Sequence, residues 1–170
     1  MKNLRIYIII AVALVAGLVS FFVTQEITSS QGLRFPNLTG DSNHYKILAE
    51  HLIEKRAFDT YPEKTSPEIF RTPGYPWFLV LLLGVLGSWK AVALVQSLLM
   101  AGVPLLTYFL GKRIFSENTA FVASMVTALD PTRLFFSTLT LADGLFTLLL
   151  LLSIFLLFAA LDSPGADRKK

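Results

Sequence analysis

The uninterrupted apolar run of residues 6–23 constrains the fold more than any other sequence feature. At a rise of about 1.5 Å per residue, a helix of this length nearly crosses a hydrocarbon core about 30 Å thick. Lys2 and Arg5 precede the run, and Phe21 and Phe22 stand where a signal peptidase would need small residues. We therefore expect an uncleaved membrane anchor rather than a signal peptide.

Further apolar runs predict an all-α, polytopic transmembrane protein. The segments expected to cross the membrane are residues 6–23, 73–88, 91–110 and 143–161, with residues 119–135 as a passage broken at Asp130-Pro131. Hydrophobic residues make up 54% of the 170 residues, more than an ordinary soluble domain contains. We expect residues 1–161 to form one membrane domain and residues 162–170 to form a polar tail.

Residues 24–72 are the only long polar segment, and residues 42–58 within it show the pattern of an amphipathic helix. Tyr45, Leu48 and Leu52 recur at three- and four-residue spacing, which predicts an interfacial helix with its apolar stripe against lipid or neighbouring helices. Because Lys2 and Arg5 should stay inside, this loop is expected on the outer side. If every later segment crosses, the basic residues 112–113 also fall outside, against the positive-inside tendency. A re-entrant path of one short segment would remove that conflict.

Three charged residues near predicted helix ends are candidates for chemistry. Asp41 either caps the amphipathic helix or serves as a carboxylate that orients or deprotonates an acceptor hydroxyl. Arg71 is either an interfacial residue or a clamp for phosphate, since guanidinium donates in a fork that suits phosphate oxygens. Asp143 precedes the last apolar run, where a carboxylate is costly unless it lies at the interface or faces a polar cavity.

Other patterns receive structural interpretations. Asp130 and Arg133 are three residues apart, and we expect them to pair on one helix. His44 and His51 are separated by roughly 10 Å of helix, too far to ligate one tetrahedral ion. There is no cysteine, which excludes disulfides and thiol chemistry, and no basic, aromatic-interleaved groove suggests nucleic acid. We expect no metal and no cofactor.

The order of motifs along the chain is similar to that of known membrane enzymes. After the first span come GDxxHYxxLAEHLIE, then RTPGYPWFL, then QxLLxxxxPLLxYxLGKRIF, and finally DPxxxFFSTLTLADGLFTLLLLL. Over about residues 4–161 this arrangement resembles the GT-C superfamily of membrane glycosyltransferases. The nearest groups are the dolichyl-phosphate-mannose protein mannosyltransferase-like, aminoarabinose-transferase-like and rhizobial lipopolysaccharide galacturonosyltransferase-like families.

The resemblance implies an inverting transfer of a sugar from a polyprenyl-phosphate donor to a hydroxyl of a lipid, glycan or protein. Asp41 matches the acidic residue of the first outer loop and is the expected base. Arg71, Asp143, Tyr45 and Tyr75 are the expected substrate-binding residues. Where some relatives have an acidic-basic pair before the second span, this chain has Arg71-Thr72, and Glu68 is only a displaced candidate for a second acid.

The resemblance also bears on partners and location. Such enzymes have about twice as many spans, so we expect this chain to be an N-terminal part whose later helices are absent or supplied as a separate chain. Membrane lipids and the donor are the other expected partners, and the plasma (inner) membrane is the expected location. The alternative is a non-catalytic membrane module, such as an assembly or transport subunit, or an inactive truncation.

Overall fold

The computed structural model describes residues 2–33, 35–36, 40–60 and 68–162. These residues form helices joined by short turns, which confirms the all-α prediction. The predicted polar tail beyond Asp162 lies outside the described residues. The helices are α1 Lys2–Ser30, α2 Gly40–Glu54, α3 Gly74–Leu86, α4 Trp89–Leu99, α5 Gly102–Ile114, α6 Glu117–Leu129, α7 Pro131–Ser137 and α8 Ala142–Leu161.

Within the described residues, three helical stretches are long and apolar enough to cross a membrane. They are Leu4–Ser30, Trp89–Ile114, which joins α4 and α5, and Ala142–Leu161. Helix α3 has 13 residues, and a helix of that length is about 20 Å long, shorter than a hydrocarbon core of about 30 Å. The apolar run of residues 73–88 is therefore a shorter helical element than the other three.

Helix α3 folds back against α4. It ends at Gly87, whose φ of 65° places it in the left-handed region that glycine adopts without strain, and the N–H of Gly87 donates to the Leu83 carbonyl. Helix α4 begins two residues later, at Trp89. The Tyr75 hydroxyl in the first turn of α3 donates to Gln96, two turns into α4, so the two helices form an antiparallel hairpin.

Helix α2 packs on this hairpin through its apolar face. The buried residues of this core are Tyr45, Leu48, Ala49, Tyr75, Leu79 and Val92. The helix begins two residues before the predicted start and ends at Glu54, because the chain turns at Arg56 with a φ of 54°. The apolar stripe predicted from sequence therefore faces neighbouring helices, although Leu52 at its edge remains partly exposed.

Helix α1 contacts α4 closely near its middle. The Ser97 hydroxyl donates to the Gly17 carbonyl at 3.1 Å, and a Cβ at Gly17 would lie 3.3 Å from the Ser97 hydroxyl oxygen. Nearer its N-terminus, Ile9 packs with Tyr108 and Ala120 of α5 and α6. Helix α1 thus packs against α4 at its middle and against α5 and α6 near its N-terminus.

Arg5 and Arg113 lie at the same end of the bundle. Arg5 donates to the Asn118 side chain at 2.8 Å, and Arg113 pairs with Asp162 at 2.6 Å. The start of α1, the turn between α5 and α6, and the end of α8 therefore share what we call the basic end. Gln96, which binds Tyr75, is separated from Arg113 by about 25 Å of helix, so α2 and α3 lie toward the opposite end.

Packing of α2 on the hairpin gives a stability prediction. Leu48 is fully buried, whereas Ile53 on the opposite side of the same helix is 47% exposed. We expect Leu48→Ala to cost about 2–5 kcal/mol, since it removes buried methyl groups and leaves a cavity. Thermal unfolding and limited proteolysis in detergent micelles measure the effect. Ile53→Ala is the matched control, and equal behaviour of the two variants would contradict the observed packing.

Candidate functional site

Asp41 and Arg71 form an ion pair between the start of α2 and the segment before α3. The Arg71 guanidinium donates through Nη2 to Asp41 Oδ1. Its central carbon also lies 5.3 Å from the centroid of the Tyr45 ring, in a cation–π contact. The Asp41 side chain is 57% exposed, so the pair adds little stability and leaves the carboxylate accessible.

A buried chain of contacts continues from Tyr45 into the bundle. The Tyr45 and Tyr75 rings meet edge to face with centroids 4.9 Å apart. The Tyr75 hydroxyl donates to Gln96 Oε1 at 2.6 Å. Gln96 Nε2 in turn donates at 2.7 Å to the carbonyl of Leu139, in the turn between α7 and α8. The sequence did not single out Gln96.

A cavity of about 450 Å³ lies where these elements meet, and two of the predicted site residues line it. Its lining residues are Asp41, Met100, Val103, Arg133, Phe136, Ser137, Leu141, Asp143, Gly144 and Thr147. Most of its wall is apolar, with the charged groups as exceptions. Such a wall with a few polar groups is typical of sites that bind small or lipid-like molecules.

Asp143 belongs to the first turn of α8, where the helix dipole favours a carboxylate. The next residue, Gly144, allows α8 to approach the junction of α4 and α5 closely. A Cβ at Gly144 would lie 2.9 Å from the Met100 sulfur. This approach brings Asp143 to the same cavity as Asp41.

Arg133 does not make the ion pair expected with Asp130. Its guanidinium donates to three backbone carbonyls: Thr127 at 2.7 Å, Ala128 at 3.0 Å and Met100 at 3.1 Å. Asp130 instead caps α7 by accepting from the Thr132 N–H at 2.9 Å. The helix restarts at Pro131, so the two residues do not share one continuous helix as the sequence interpretation assumed.

The remaining candidates lie in α2 and in the segment between α2 and α3. His51 Nδ1 contacts Asp59 Oδ1 at 2.6 Å. The Thr60 hydroxyl and the Phe70 N–H both donate hydrogen bonds to the Glu68 carboxylate. These bonds, the one from Thr60 foremost, hold the pKa of Glu68 below its usual range. Glu68 does not line the cavity with Asp41 and Asp143. In the part of the chain that the structure describes, no group of three or more His, Asp or Glu residues is arranged to hold a metal ion.

The fold and this cavity define a polytopic helical membrane protein with a charged, largely apolar-walled site. Residues 70–167 match the family described as dolichyl-phosphate-mannose-protein mannosyltransferase. The chain therefore belongs to that family of GT-C glycosyltransferases, which confirms the membrane glycosyltransferase resemblance; the finer choice among related groups stays a prediction. The match includes Arg71, Gln96, Arg133 and Asp143 but not Asp41. No curated protein and no solved structure matches the chain.

Arg133 lines the cavity, but its contacts with three carbonyls predict that its role is structural. We expect Arg133→Leu to lower stability by about 3 kcal/mol or more, because three carbonyls lose a charged donor. Arg133→Lys should recover only part of this, since an ammonium cannot reproduce the planar fork. Thermal unfolding in micelles is the measurement. Arg113→Leu, which breaks an exposed ion pair, should cost about 1 kcal/mol or less, and a larger effect there than at Arg133 would refute the assignment.

Proposed function

We propose that this protein transfers a sugar from a polyprenyl-phosphate donor to a hydroxyl of a lipid, glycan or protein, with inversion at the anomeric carbon. The observation that carries the proposal is that Asp41 and Asp143, from distant parts of the chain, line one cavity. Arg71 lies beside it, paired with Asp41. Membership of a glycosyltransferase family supplies the class of reaction.

The chemistry of the transfer assigns a role to each charged group. The phosphate of the donor is already a leaving group, so the protein must add a base for the acceptor hydroxyl and positive charge near the departing phosphate. Asp41 is the proposed base, because its carboxylate is accessible and faces the cavity. As the acceptor oxygen attacks the anomeric carbon, Asp41 takes its proton and the polyprenyl phosphate leaves.

The other candidates orient the substrates. Arg71 uses one nitrogen toward Asp41, and its other N–H groups can donate to phosphate oxygens. Asp143, which lines the same cavity, accepts hydrogen bonds from sugar hydroxyls. Tyr45 and Tyr75 form the aromatic support behind Arg71. The apolar wall of the cavity suits the first isoprene units of a polyprenyl chain.

Three basic residues near the ends of apolar helices support a particular orientation in the plasma (inner) membrane. Arg5, Lys112 and Arg113 fall at or near one end of the bundle, and cationic residues are enriched on the inner side of membranes. We propose that the basic end is cytoplasmic and that the cavity opens toward the outer leaflet. The α3–α4 hairpin then stays at the outer side, which removes the topological conflict seen in the sequence.

Cysteine labelling tests this orientation, and the chain offers a background without native cysteine. Ser29→Cys at the end of α1 and Ser88→Cys in the hairpin turn should react with a membrane-impermeant thiol reagent in intact cells. Ser116→Cys in the turn between α5 and α6 should react only after permeabilisation. Labelling of Ser88→Cys solely in permeabilised cells would show instead that residues 73–88 cross the membrane.

Replacement of the proposed base tests the reaction. Asp41→Asn removes the charge with little change in size, and a general base contributes roughly 10²- to 10⁴-fold, so transfer should fall by that order. The assay follows label from dolichyl-phosphate mannose and a panel of other radiolabelled polyprenyl-phosphate sugars. It uses native-host membranes in which the variant replaces the wild-type chain at equal level.

A matched carboxylate provides the control for that assay. Asp59 contacts His51 and does not line the cavity, so Asp59→Asn should retain the wild-type transfer rate. If Asp41→Asn kept more than about a tenth of the wild-type rate, less than a base should contribute, the catalytic role would be wrong. That outcome would favour the alternative of a non-catalytic membrane module.

A further inference from the structure

Gln96 is a polar residue in the apolar α4–α5 stretch, and it is 1% exposed. Both ends of its amide are bonded, to the Tyr75 hydroxyl at 2.6 Å and to the Leu139 carbonyl at 2.7 Å. A carbonyl oxygen can only accept, so the amide nitrogen must face Leu139 and the amide oxygen must accept from Tyr75. A buried amide is costly unless both ends are satisfied, and here its two hydrogen bonds join α3 to the turn before α8.

The Leu139 end of this bridge fixes the turn from which α8 begins. Leu139 is fully buried, and Leu141 is 7% exposed. Leu141 and Ser137, on either side of the anchored carbonyl, line the cavity, as does Asp143 two residues later. The position of the Leu139 carbonyl therefore sets where the first turn of α8 lies.

The Tyr75 end leads to Asp41, which also lines this cavity. Tyr75 packs edge to face against Tyr45. The Arg71 guanidinium lies over the Tyr45 ring, and Arg71 forms an ion pair with Asp41. The Gln96 amide thus links the support of Asp41 with the turn before Asp143, and Ala142 and Leu145 of α8 pack on the same core.

We propose that Gln96 is a positioning residue that sets the separation of Asp41 and Asp143 for sugar transfer. This inference rests on the proposed function. Gln96 is not among the described residues that line the cavity, so it acts through the two elements that it joins. A displacement of about 1 Å between reacting groups can lower a rate by about 100-fold, which is enough to make such a bridge matter for catalysis.

The test separates positioning from folding by kinetics in native-host membranes, with the labelled donor identified by the panel above. Gln96→Leu removes both hydrogen bonds and should lower kcat by about 10- to 100-fold, with a smaller change in the donor KM. Tyr75→Phe removes one of the two bonds and should give a smaller loss. Because both variants break the same Tyr75 contact, the double variant should be no slower than Gln96→Leu alone.

A conservative variant gives a rescue that depends on proton state. In Gln96→Glu, a protonated carboxyl has one donor and one acceptor in the shape of the amide, so it can make both bonds. An ionised carboxylate cannot donate to Leu139. The activity of Gln96→Glu relative to wild type at the same pH should therefore be near one at low pH and should fall as pH rises.

Ser97→Ala is the matched control, because Ser97 is the next residue, is 2% exposed and donates to Gly17 of α1 rather than toward the cavity. It should keep the wild-type kcat. The positioning role would be wrong if Ser97→Ala lost as much kcat as Gln96→Leu. It would also be wrong if Gln96→Leu kept kcat within about twofold of wild type while Asp41→Asn was inactive. Either result would leave the proposed function standing. If Asp41→Asn is active, the proposed function and the role of Gln96 fall together. If Gln96→Leu does not accumulate, Tyr75→Phe and Gln96→Glu decide by the same criteria.

Discussion

The polar groups inside an apolar bundle must find partners within the protein, because hydrocarbon supplies none. Several of the bonds that join different helices come from residues 96–100, at the end of α4. Gln96 bonds to α3 and to the turn before α8, Ser97 bonds to α1, and the Met100 carbonyl accepts from Arg133. Residues 96–100 thus bond to α1, α3, α7 and the turn before α8. Met100 also lines the cavity.

The charged site is assembled from the beginnings of helices. Asp41 and Asp143 stand in the first turns of α2 and α8, where the helix dipole stabilises a carboxylate. Arg71 precedes α3 and reaches back to Asp41. Carboxylates that would be costly inside lipid are accommodated in this way, since each lies at a helix end that opens on a shared cavity.

The sequence predicts the helical membrane class, because long apolar runs are a local signal. Asp41 and Asp143 can be placed near helix starts for the same reason, but the cavity that both line is not visible in the sequence. It does not predict how α3 packs on α4, because the hydrogen bond of Tyr75 to Gln96 joins residues that share no local pattern. Arg133 was misread for a related reason: the spacing to Asp130 suggests a pair only if the helix is continuous, and Pro131 restarts it. The amide of Gln96 carries no periodic signal at all, because its two partners lie 21 and 43 residues away.

The close approach at Gly144 has a consequence for how such a protein can diversify. The atom that a Cβ there would meet is the sulfur of Met100, the mobile end of an unbranched side chain that also lines the cavity. A single added methyl group would therefore redirect that sulfur while the helix backbones stay in place. The contour of the cavity beside Asp143 can change in one mutational step without a change of fold, which offers a short evolutionary path between substrates of different size.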